Sequence, residues 1–208
     1  MTNSPAYQVW NERYDTDEFI FGIEPNRYLK SVALKYLKPG GQVLCVADGE
    51  GRNSVWLAQQ GCHVAAFDLS PNAIRKAQQL SKQLGVKVEY QLSDCESFDW
   101  SENAYDSVVA IFIQFYGPEM RAELFRKMIA SLKPGGVLIL QGYTPKQLEY
   151  KTGGPSQIEN LYTEDMVKDL LQSLKIQEMV LAEEVISEGQ AHDGMSALMG
   201  VVAVKPAD

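Results

Sequence analysis

The sequence is poor in the residues that build metal centres and disulfide frameworks. Its 208 residues include two histidines, His63 and His192, and three cysteines, and none of these has the spacing of a zinc site. The cysteines Cys45, Cys62 and Cys95 are odd in number and lie in or beside apolar segments. We therefore expect no metal cofactor, and we expect buried free thiols in a reducing compartment rather than disulfides.

The chain also lacks a basic excess and any long apolar run. Its 19 Lys and Arg face 27 Asp and Glu, which gives a formal net charge of −8. This charge argues against a nucleic-acid partner, because phosphate backbones are usually bound by a basic surface. No apolar stretch approaches the roughly 18 residues that a membrane span needs. The polar N-terminus, MTNSPAYQVWNERYD, has no signal-peptide pattern, so we expect a cytoplasmic protein without a membrane partner.

From residue 42 onward, short apolar runs alternate with helical patterns, which predicts a parallel sheet covered by helices on both faces. Before this region, apolar residues at helical spacing predict a helix from about Pro25 to Leu37. Ser70 is predicted to cap the helix that begins at Pro71. The predicted strands are 42–47, 63–67, 86–92, 106–113 and 137–141, and the other predicted helices are 53–60, 118–132 and 163–174.

The pattern changes after Leu174. Residues 176–186 and 196–204 are typical of two strands joined by a glycine-rich loop, and so short a connection requires antiparallel pairing. The predicted fold class is therefore α/β: a doubly wound, mostly parallel seven-stranded sheet that ends in an antiparallel hairpin, Rossmann-like in architecture. Length and composition predict one domain over residues 1–208, with an N-terminal lid and helix in 1–40 and the core sheet in 42–208.

The most informative segment joins the first predicted strand to the next helix and contains Gly49 and Gly51. A missing side chain at such a turn lets a ligand approach the backbone. Asp68 follows at the end of the second strand, where a carboxylate meets the hydroxyls of a bound ribose. The alternative is a tight turn followed by a helix-capping aspartate. The turn, the acid and the hairpin together favour the nucleoside interpretation.

These motifs resemble those of class I S-adenosylmethionine-dependent methyltransferases. The similarity covers nearly the whole chain, including Ser93-Asp94-Cys95 after the third strand and the segment LKPGGVLIL at 132–140. The openings WNERY at 10–14 and FGIEPN at 21–26 are similar to those of the small tellurite-resistance and thiopurine methyltransferases. The resemblance implies a Rossmann-like methyltransferase fold and S-adenosyl-L-methionine as cofactor.

The resemblance also implies a cofactor site, with two departures from the usual pattern. Cys45 stands where the family has an acid, and Ala47 stands where it has the first glycine, while Asp48 is the nearest replacement for the acid. Asp68 would take the ribose hydroxyls, and Asp94 would accept from the adenine amine. The implied cofactor-binding residues are Trp10, Arg13, Ala47, Gly49, Gly51, Asp68, Leu69, Ser93, Asp94, Cys95, Ile111 and Phe112.

Methyl transfer from a sulfonium requires alignment and exclusion of water, so the sequence need not contain a conspicuous catalytic motif. Gln114, Tyr143 and His192 fall on predicted loops at or near the carboxyl edge of the sheet and are the catalytic candidates. For His192 the alternative is an exposed loop residue, and for Tyr143 it is a packed aromatic with a satisfied hydroxyl. Arg52, just after the glycine turn, is either a ligand for the cofactor carboxylate or a solvated surface arginine.

The predicted function is methylation of a small molecule, with a thiol or a chalcogen oxyanion such as tellurite as the acceptor class. One alternative is a cofactor-binding module without turnover. Another is a nicotinamide-dependent oxidoreductase, which the missing third glycine disfavours. Five aromatic residues precede position 22. We predict that this N-terminal segment is a lid that orders over the filled pocket, with a permanent scaffold as the alternative.

Overall fold

The computed structural model describes residues 4–189 and 192–207. The sheet has the strand order β3-β2-β1-β4-β5-β7-β6, and its last two pairings are antiparallel, which confirms the predicted fold class. The helices are α1 Pro5–Arg13, α2 Arg27–Tyr36, α3 Arg52–Gln59, α4 Pro71–Gln83, α5 Pro118–Ser131, α6 Gln147–Tyr150 and α7 Glu164–Leu170. The strands are β1 Gln42–Cys45, β2 His63–Asp68, β3 Val88–Leu92, β4 Tyr105–Ile111, β5 Leu132–Tyr143, β6 Lys175–Ser187 and β7 Asp193–Val204.

The described residues fall into two compact units, 4–99 with 188–189 and 100–187 with 192–207. In the first unit, β1, β2 and β3 pair in parallel, and α3 and α4 pack against these strands. Leu44 and Phe67 from the strands and Leu57 and Leu80 from the helices are fully buried. Ser70 caps α4 as predicted, because its hydroxyl accepts a hydrogen bond from the Ala73 backbone N–H at 3.2 Å.

In the second unit, β4 pairs with β5 in parallel, and β7 lies antiparallel between β5 and β6. Strand β5 begins at Leu132, five residues earlier than predicted, because Leu132 already pairs with Tyr105 across an irregularity in the ladder. Apolar residues at the centres of β4, β5 and β7, such as Val108, Leu140 and Val201, are completely buried.

Several helices differ from the prediction, among them the short α6, which was not predicted. Helix α1 was not predicted, because none of its residues is buried and it therefore carries no apolar stripe. Helix α2 begins at Arg27 rather than Pro25, because the side chain of Asn26 accepts from the Leu29 N–H at 2.9 Å and so caps the helix. Helix α7 ends at Leu170, and a turn then leads into β6.

The three cysteines are buried free thiols, as predicted. Within residues 4–189 and 192–207, no helix is long and apolar enough to cross a membrane.

Candidate functional site

The turn after β1 has three residues in the left-handed region: Ala47 at φ 48°, Gly49 at φ 63° and Gly51 at φ 89°. A Cβ atom on Gly51 would lie 2.7 Å from the Cβ atom of Ala77 in α4, so this glycine is required by helix packing. A Cβ atom on Gly49 would lie 2.9 Å from the hydroxyl of Tyr14. Gly49 is therefore the glycine beside which another group approaches the backbone.

Asp68 is held in place by the turn that it faces. Its Oδ2 accepts from the Gly49 N–H and its Oδ1 accepts from the Ser70 N–H, each at 2.9 Å. Burial raises the pKa of Asp68 to about 6, although these backbone hydrogen bonds oppose the shift. A carboxylate has about four acceptor positions, so Asp68 retains capacity for two further donors such as the vicinal hydroxyls of a ribose. Asp68 orders the turn before α4, whose N-cap is Ser70, and the ribose role stays a prediction.

The carboxyl group of Asp48 faces the start of α3. It accepts a short hydrogen bond from the Ser54 hydroxyl, which lies 3.2 Å from the hydroxyl of Tyr90. Although the residue is partly exposed, its carboxyl group is withdrawn from water, and this desolvation raises the pKa of Asp48 to about 7. The negative charge of Asp68 also raises it. Cys45, in the usual acid position, is buried.

The predicted adenine-binding residues surround the end of β3. The Ser93 N–H donates to the Asp68 carbonyl at 3.0 Å, which brings this segment beside Asp68. Asp94 Oδ1 accepts from the N–H groups of Glu96 and Ser97, at 3.1 and 2.7 Å, so it shapes the turn in this structure. Cys95 is buried and Leu69 is partly exposed.

Aromatic residues connect α1 with the segment that follows it. Trp10 stacks on Tyr14 with ring centroids 5.8 Å apart, and the Arg13 guanidinium lies 5.1 Å from the Trp10 centroid and 5.4 Å from that of Phe21. Trp10 and Arg13 are thus brought together, and Arg13 makes cation–π contacts in this structure. Tyr14, which the sequence did not single out as a site residue, is buried beside Gly49 and close to the charge of Asp68.

The segment after α1 is bound by a buried ion pair that the sequence did not reveal. Glu50 accepts from the N–H groups of Ile20 and Phe21, each at 3.2 Å. Lys76 lies 2.5 Å from Glu50, and its ammonium also donates to the Glu18 carbonyl. Both charged side chains are almost fully buried. These contacts hold residues 18–21 as scaffold in the described structure.

The surface alternative for Arg52 is wrong. Its guanidinium is buried and lies 2.8 Å from the carboxylate of Glu188, which belongs to the loop after β6. Glu188 also accepts from the Arg27 N–H at 3.0 Å and from the Asn26 side chain at 3.2 Å. A positive charge at the start of a helix is unfavourable by itself, and the buried carboxylate compensates for it.

In the second unit, the side chain of Gln114 binds backbone groups of the fold, and a contact with substrate stays a prediction. Its Nε2 donates to the carbonyls of Tyr143 and Asn160, both at 2.9 Å, and its Oε1 accepts from the Tyr143 N–H at 2.5 Å. Both amide hydrogens are therefore used within the fold. A Cβ atom on Gly142 would lie 2.5 Å from Gln114 Oε1, which explains the glycine at that position.

Phe112, Tyr143 and His192 form an aromatic cluster in the second unit. The Phe112 ring stacks on Tyr143 with centroids 4.8 Å apart and meets the edge of His192 at 4.5 Å. The exposed-loop alternative for His192 is wrong, because the residue is buried. Phe112 has φ 58°, a strained conformation for a bulky side chain of the kind that concentrates at functional sites. Ile111, which ends β4, is partly exposed.

The second unit also contains an open cavity of about 540 Å³ that the sequence did not predict. It is lined by the start of α7 and by parts of β6 and β7, including Lys146, Glu164, Leu181, Glu183 and Met199. None of the predicted site residues lines it. Lys146 and Glu183 form an ion pair of 2.7 Å at this surface.

The comparison with known proteins shows that part of the chain is similar to methyltransferases. The family described as "Methyltransferase domain" matches residues 43–136, which include the glycine turn, Asp68 and the segment after β3. A curated relative, the ubiquinone biosynthesis O-methyltransferase of Xanthomonas campestris, is 32% identical over 122 residues, which is 58% of this chain and 50% of that protein. The chain spans half or less of the length of the curated relatives it matches.

Solved structures confirm the fold. TehB from Haemophilus influenzae matches with a TM-score of 0.68 and 18% identity, over 96% of this chain and 66% of that one. The N-methyltransferase NodS from Bradyrhizobium japonicum, solved with S-adenosyl-L-homocysteine, matches with a TM-score of 0.71 and 17% identity. That match covers 98% of this chain and 100% of NodS.

Proposed function

We propose that this chain is a methyltransferase that uses S-adenosyl-L-methionine and methylates a small molecule, without nucleic acid or membrane as a partner and in the cytoplasm. The methyltransferase-domain match and the fold support the reaction class and the cofactor. The acceptor that we propose is a thiol or a chalcogen oxyanion such as tellurite. The likeness to TehB supports this choice by fold alone.

The observation that carries the proposal is the position of Asp68 at the end of β2. Its two oxygens are oriented by the N–H groups of Gly49 and Ser70, and each oxygen retains an acceptor position. Two hydroxyls on neighbouring carbons would bind such a carboxylate in a bidentate manner. Ala47, Gly49 and Gly51 fix the turn beside it, and Leu69 offers a partly exposed apolar side chain next to it.

Negative charge around the turn favours a cationic ligand. Asp68 and Glu50 raise the pKa of the buried Tyr14 hydroxyl through their charges, and Asp68 raises that of Asp48, so these groups share one electrostatic environment. When bound, S-adenosyl-L-methionine supplies a methyl group already activated by a positive sulfonium. The carboxylates would stabilise that charge, and the neutral Tyr14 hydroxyl would remain a hydrogen-bond donor.

In the second unit, Phe112, Tyr143 and His192 are proposed to exclude water from the reaction and to position the acceptor. Their rings are packed together, which provides a rigid apolar wall with two polar side chains. A thiolate needs no general base, whereas a neutral thiol would transfer its proton, and a histidine is suited to receive it near neutral pH.

Two measurements test the proposal in order. Isothermal titration with S-adenosyl-L-methionine and S-adenosyl-L-homocysteine should give saturable binding, and no heat at millimolar ligand would contradict the cofactor assignment. A screen of thiols, chalcogen oxyanions, amines and phenols should then release S-adenosyl-L-homocysteine with at least one thiol or oxyanion. Binding without release from any acceptor would instead indicate a cofactor-binding module.

A further inference from the structure

Arg121 is a buried cation in the second unit that has no carboxylate partner in the described part of the chain. The residue is only 7% exposed, and its NH1 donates to the backbone carbonyl of Glu159 at 2.6 Å. Within residues 4–189 and 192–207 this is the sole hydrogen bond of its side chain, which forms no salt bridge there. Its Nε is fully buried and has no hydrogen-bond partner among the same residues.

Two more polar groups of the same region share this condition. The hydroxyl of Tyr162 and the Oδ1 atom of Asn160 are buried and have no hydrogen-bond partner in the described part of the chain. They belong to the segment whose Glu159 carbonyl binds Arg121, and the charge of Arg121 acts on Tyr162, whose pKa burial raises. Phe125, one turn further along α5, meets the Tyr162 ring edge at 6.2 Å.

The energetics of such a cluster require a ligand rich in acceptors. A guanidinium does not lose its proton in a protein, so it stays charged when it is buried. A buried charge without a counterion is strongly unfavourable. Arg121 is also the fourth residue of α5, near the positive end of the helix dipole, so the local potential is more positive still. With NH1 used by Glu159, Nε and NH2 form the edge that binds an oxyanion through two parallel hydrogen bonds.

We propose that Arg121 and Tyr162 bind a small oxyanion, and that Asn160 selects one that also carries a hydroxyl group. Arg121 Nε and the Tyr162 hydroxyl donate to the oxyanion, while Asn160 Oδ1 accepts from its hydroxyl. Monohydrogen phosphate has this combination of acceptors and donor, whereas sulfate at neutral pH has acceptors alone. The oxyanion is either a free inorganic ion or the charged group of the methyl acceptor, and only the second source rests on the proposed methyltransferase function.

Thermal unfolding of the full chain tests the site without cofactor. At constant ionic strength, replacing chloride with phosphate should raise the Tm of the wild type, and sulfate should raise it less. In R121M the phosphate response should fall well below that of the wild type and retain only the general stabilising effect of the salt. R126M is the matched control, because Arg126 lies on the same helix, is 70% exposed and pairs with Glu123, and its response should equal that of the wild type. An equal phosphate response in R121M and the wild type, or no response in the wild type, overturns the proposal.

A second variant keeps the test decisive if R121M does not fold. Y162F retains the packed ring and removes the hydroxyl, so it should bind phosphate several-fold more weakly. The Nε–Hε signal of Arg121, assigned by its loss in R121K, should move in the wild type during a phosphate titration. A phosphate affinity of Y162F equal to that of the wild type, together with an unmoved Arg121 signal, overturns the site.

The two sources of the oxyanion differ in steady-state kinetics. We would compare 2-mercaptobenzoate with thiophenol as acceptors, reading S-adenosyl-L-homocysteine release. If the site binds the acceptor, phosphate should raise the KM of the mercaptobenzoate several-fold and leave that of thiophenol unchanged. If it binds a free ion, phosphate should leave both KM values unchanged. No turnover of either thiol, with phosphate stabilisation intact, would contradict the thiol acceptor while supporting the oxyanion site.

Discussion

Buried charged side chains have different kinds of partner in the two units of the chain. In the first unit, Lys76 lies 2.5 Å from Glu50 and Arg52 lies 2.8 Å from Glu188, and both carboxylates accept further hydrogen bonds from the backbone. In the second unit, the buried Arg121 has a single carbonyl partner among the described residues. A charge completed by the chain itself stabilises the fold, whereas a charge left incomplete marks a place where a ligand completes it.

The largest expected effect comes from the same substitution at the two buried arginines. R52M leaves Glu188 buried without its cation and should lower the free energy of unfolding by about 3–5 kcal/mol. R121M removes an uncompensated charge and should leave stability in chloride unchanged or raise it by about 1–2 kcal/mol. Urea unfolding of both variants measures the difference, and equal losses would refute the distinction between the two units.

From the closely spaced carboxylates of the first unit we predict that the stability of the protein depends on pH. Because the folded pKa of Asp48 is raised from 3.8 to about 7, the folded state binds more protons than the unfolded chain between these values. Stability is therefore present below the lower pKa and is lost as pH rises through the upper one. This should lower the free energy of unfolding by roughly 3–4 kcal/mol between pH 4 and pH 8.

The variant D48N isolates this effect. It keeps an oxygen for the Ser54 hydroxyl and removes the titration, so its stability should fall much less over the same pH range. The pKa of Asp68 is also raised, to about 6, so D48N should still lose some stability as pH rises, by a smaller amount. A D48N profile parallel to that of the wild type would exclude Asp48 as the source.

Removal of the Asp68 carboxylate should affect cofactor binding more than any other single change at the turn. D68A should weaken binding of S-adenosyl-L-methionine by about 2–4 kcal/mol, because two hydrogen bonds to a charged acceptor are lost. The side chain also orients Gly49 and Ser70, so circular dichroism must first establish that the variant is folded. A folded D68A that binds within threefold of the wild type would eliminate the ribose assignment.

The smallest expected effect concerns Ala47, which adopts a left-handed conformation at φ 48°. A47G should raise stability by about 1 kcal/mol, because glycine avoids the strain of a Cβ atom there. The control is the opposite substitution, G61A. Gly61 also has a positive φ, 85°, and a Cβ atom there would meet no neighbour within 4 Å. G61A should lower the free energy of unfolding by about 1 kcal/mol. Urea unfolding should therefore show changes of opposite sign for A47G and G61A.

The sequence predicted the elements whose signals are local. The strands, the hairpin after Leu174 and the Ser70 cap follow from short-range periodicity and from single residues with strong positional preferences. Helix α1 was not predicted because it buries no residue. Aromatic content alone could not distinguish a lid from a scaffold in this segment. The structure binds residues 18–21 to Glu50, while the predicted ordering of α1 over the filled pocket stays a prediction.

Side-chain partners distant in sequence could not be predicted in the same way. Gln114 was assigned to substrate because it follows a strand end, but its amide closes on the backbone around Tyr143. His192 looked exposed because its neighbours are polar, yet it packs on Phe112. Arg52 forms an ion pair with Glu188, whereas the side chain of Arg121 has only the Glu159 carbonyl as a partner among the described residues. Both arrangements depend on tertiary contacts, which a local sequence pattern does not predict.

Glu188 has a consequence for the order in which the chain acquires its structure during synthesis. Its carboxylate binds the Asn26 side chain, the Arg27 backbone N–H and the Arg52 guanidinium. A ribosome that has made only the first half of the chain has therefore made these donors but not their acceptor. A nascent chain of residues 1–99 therefore contains an arginine that cannot be buried favourably. Completion of the first unit must wait until residue 188 leaves the exit tunnel, so the N-terminal half folds late rather than first.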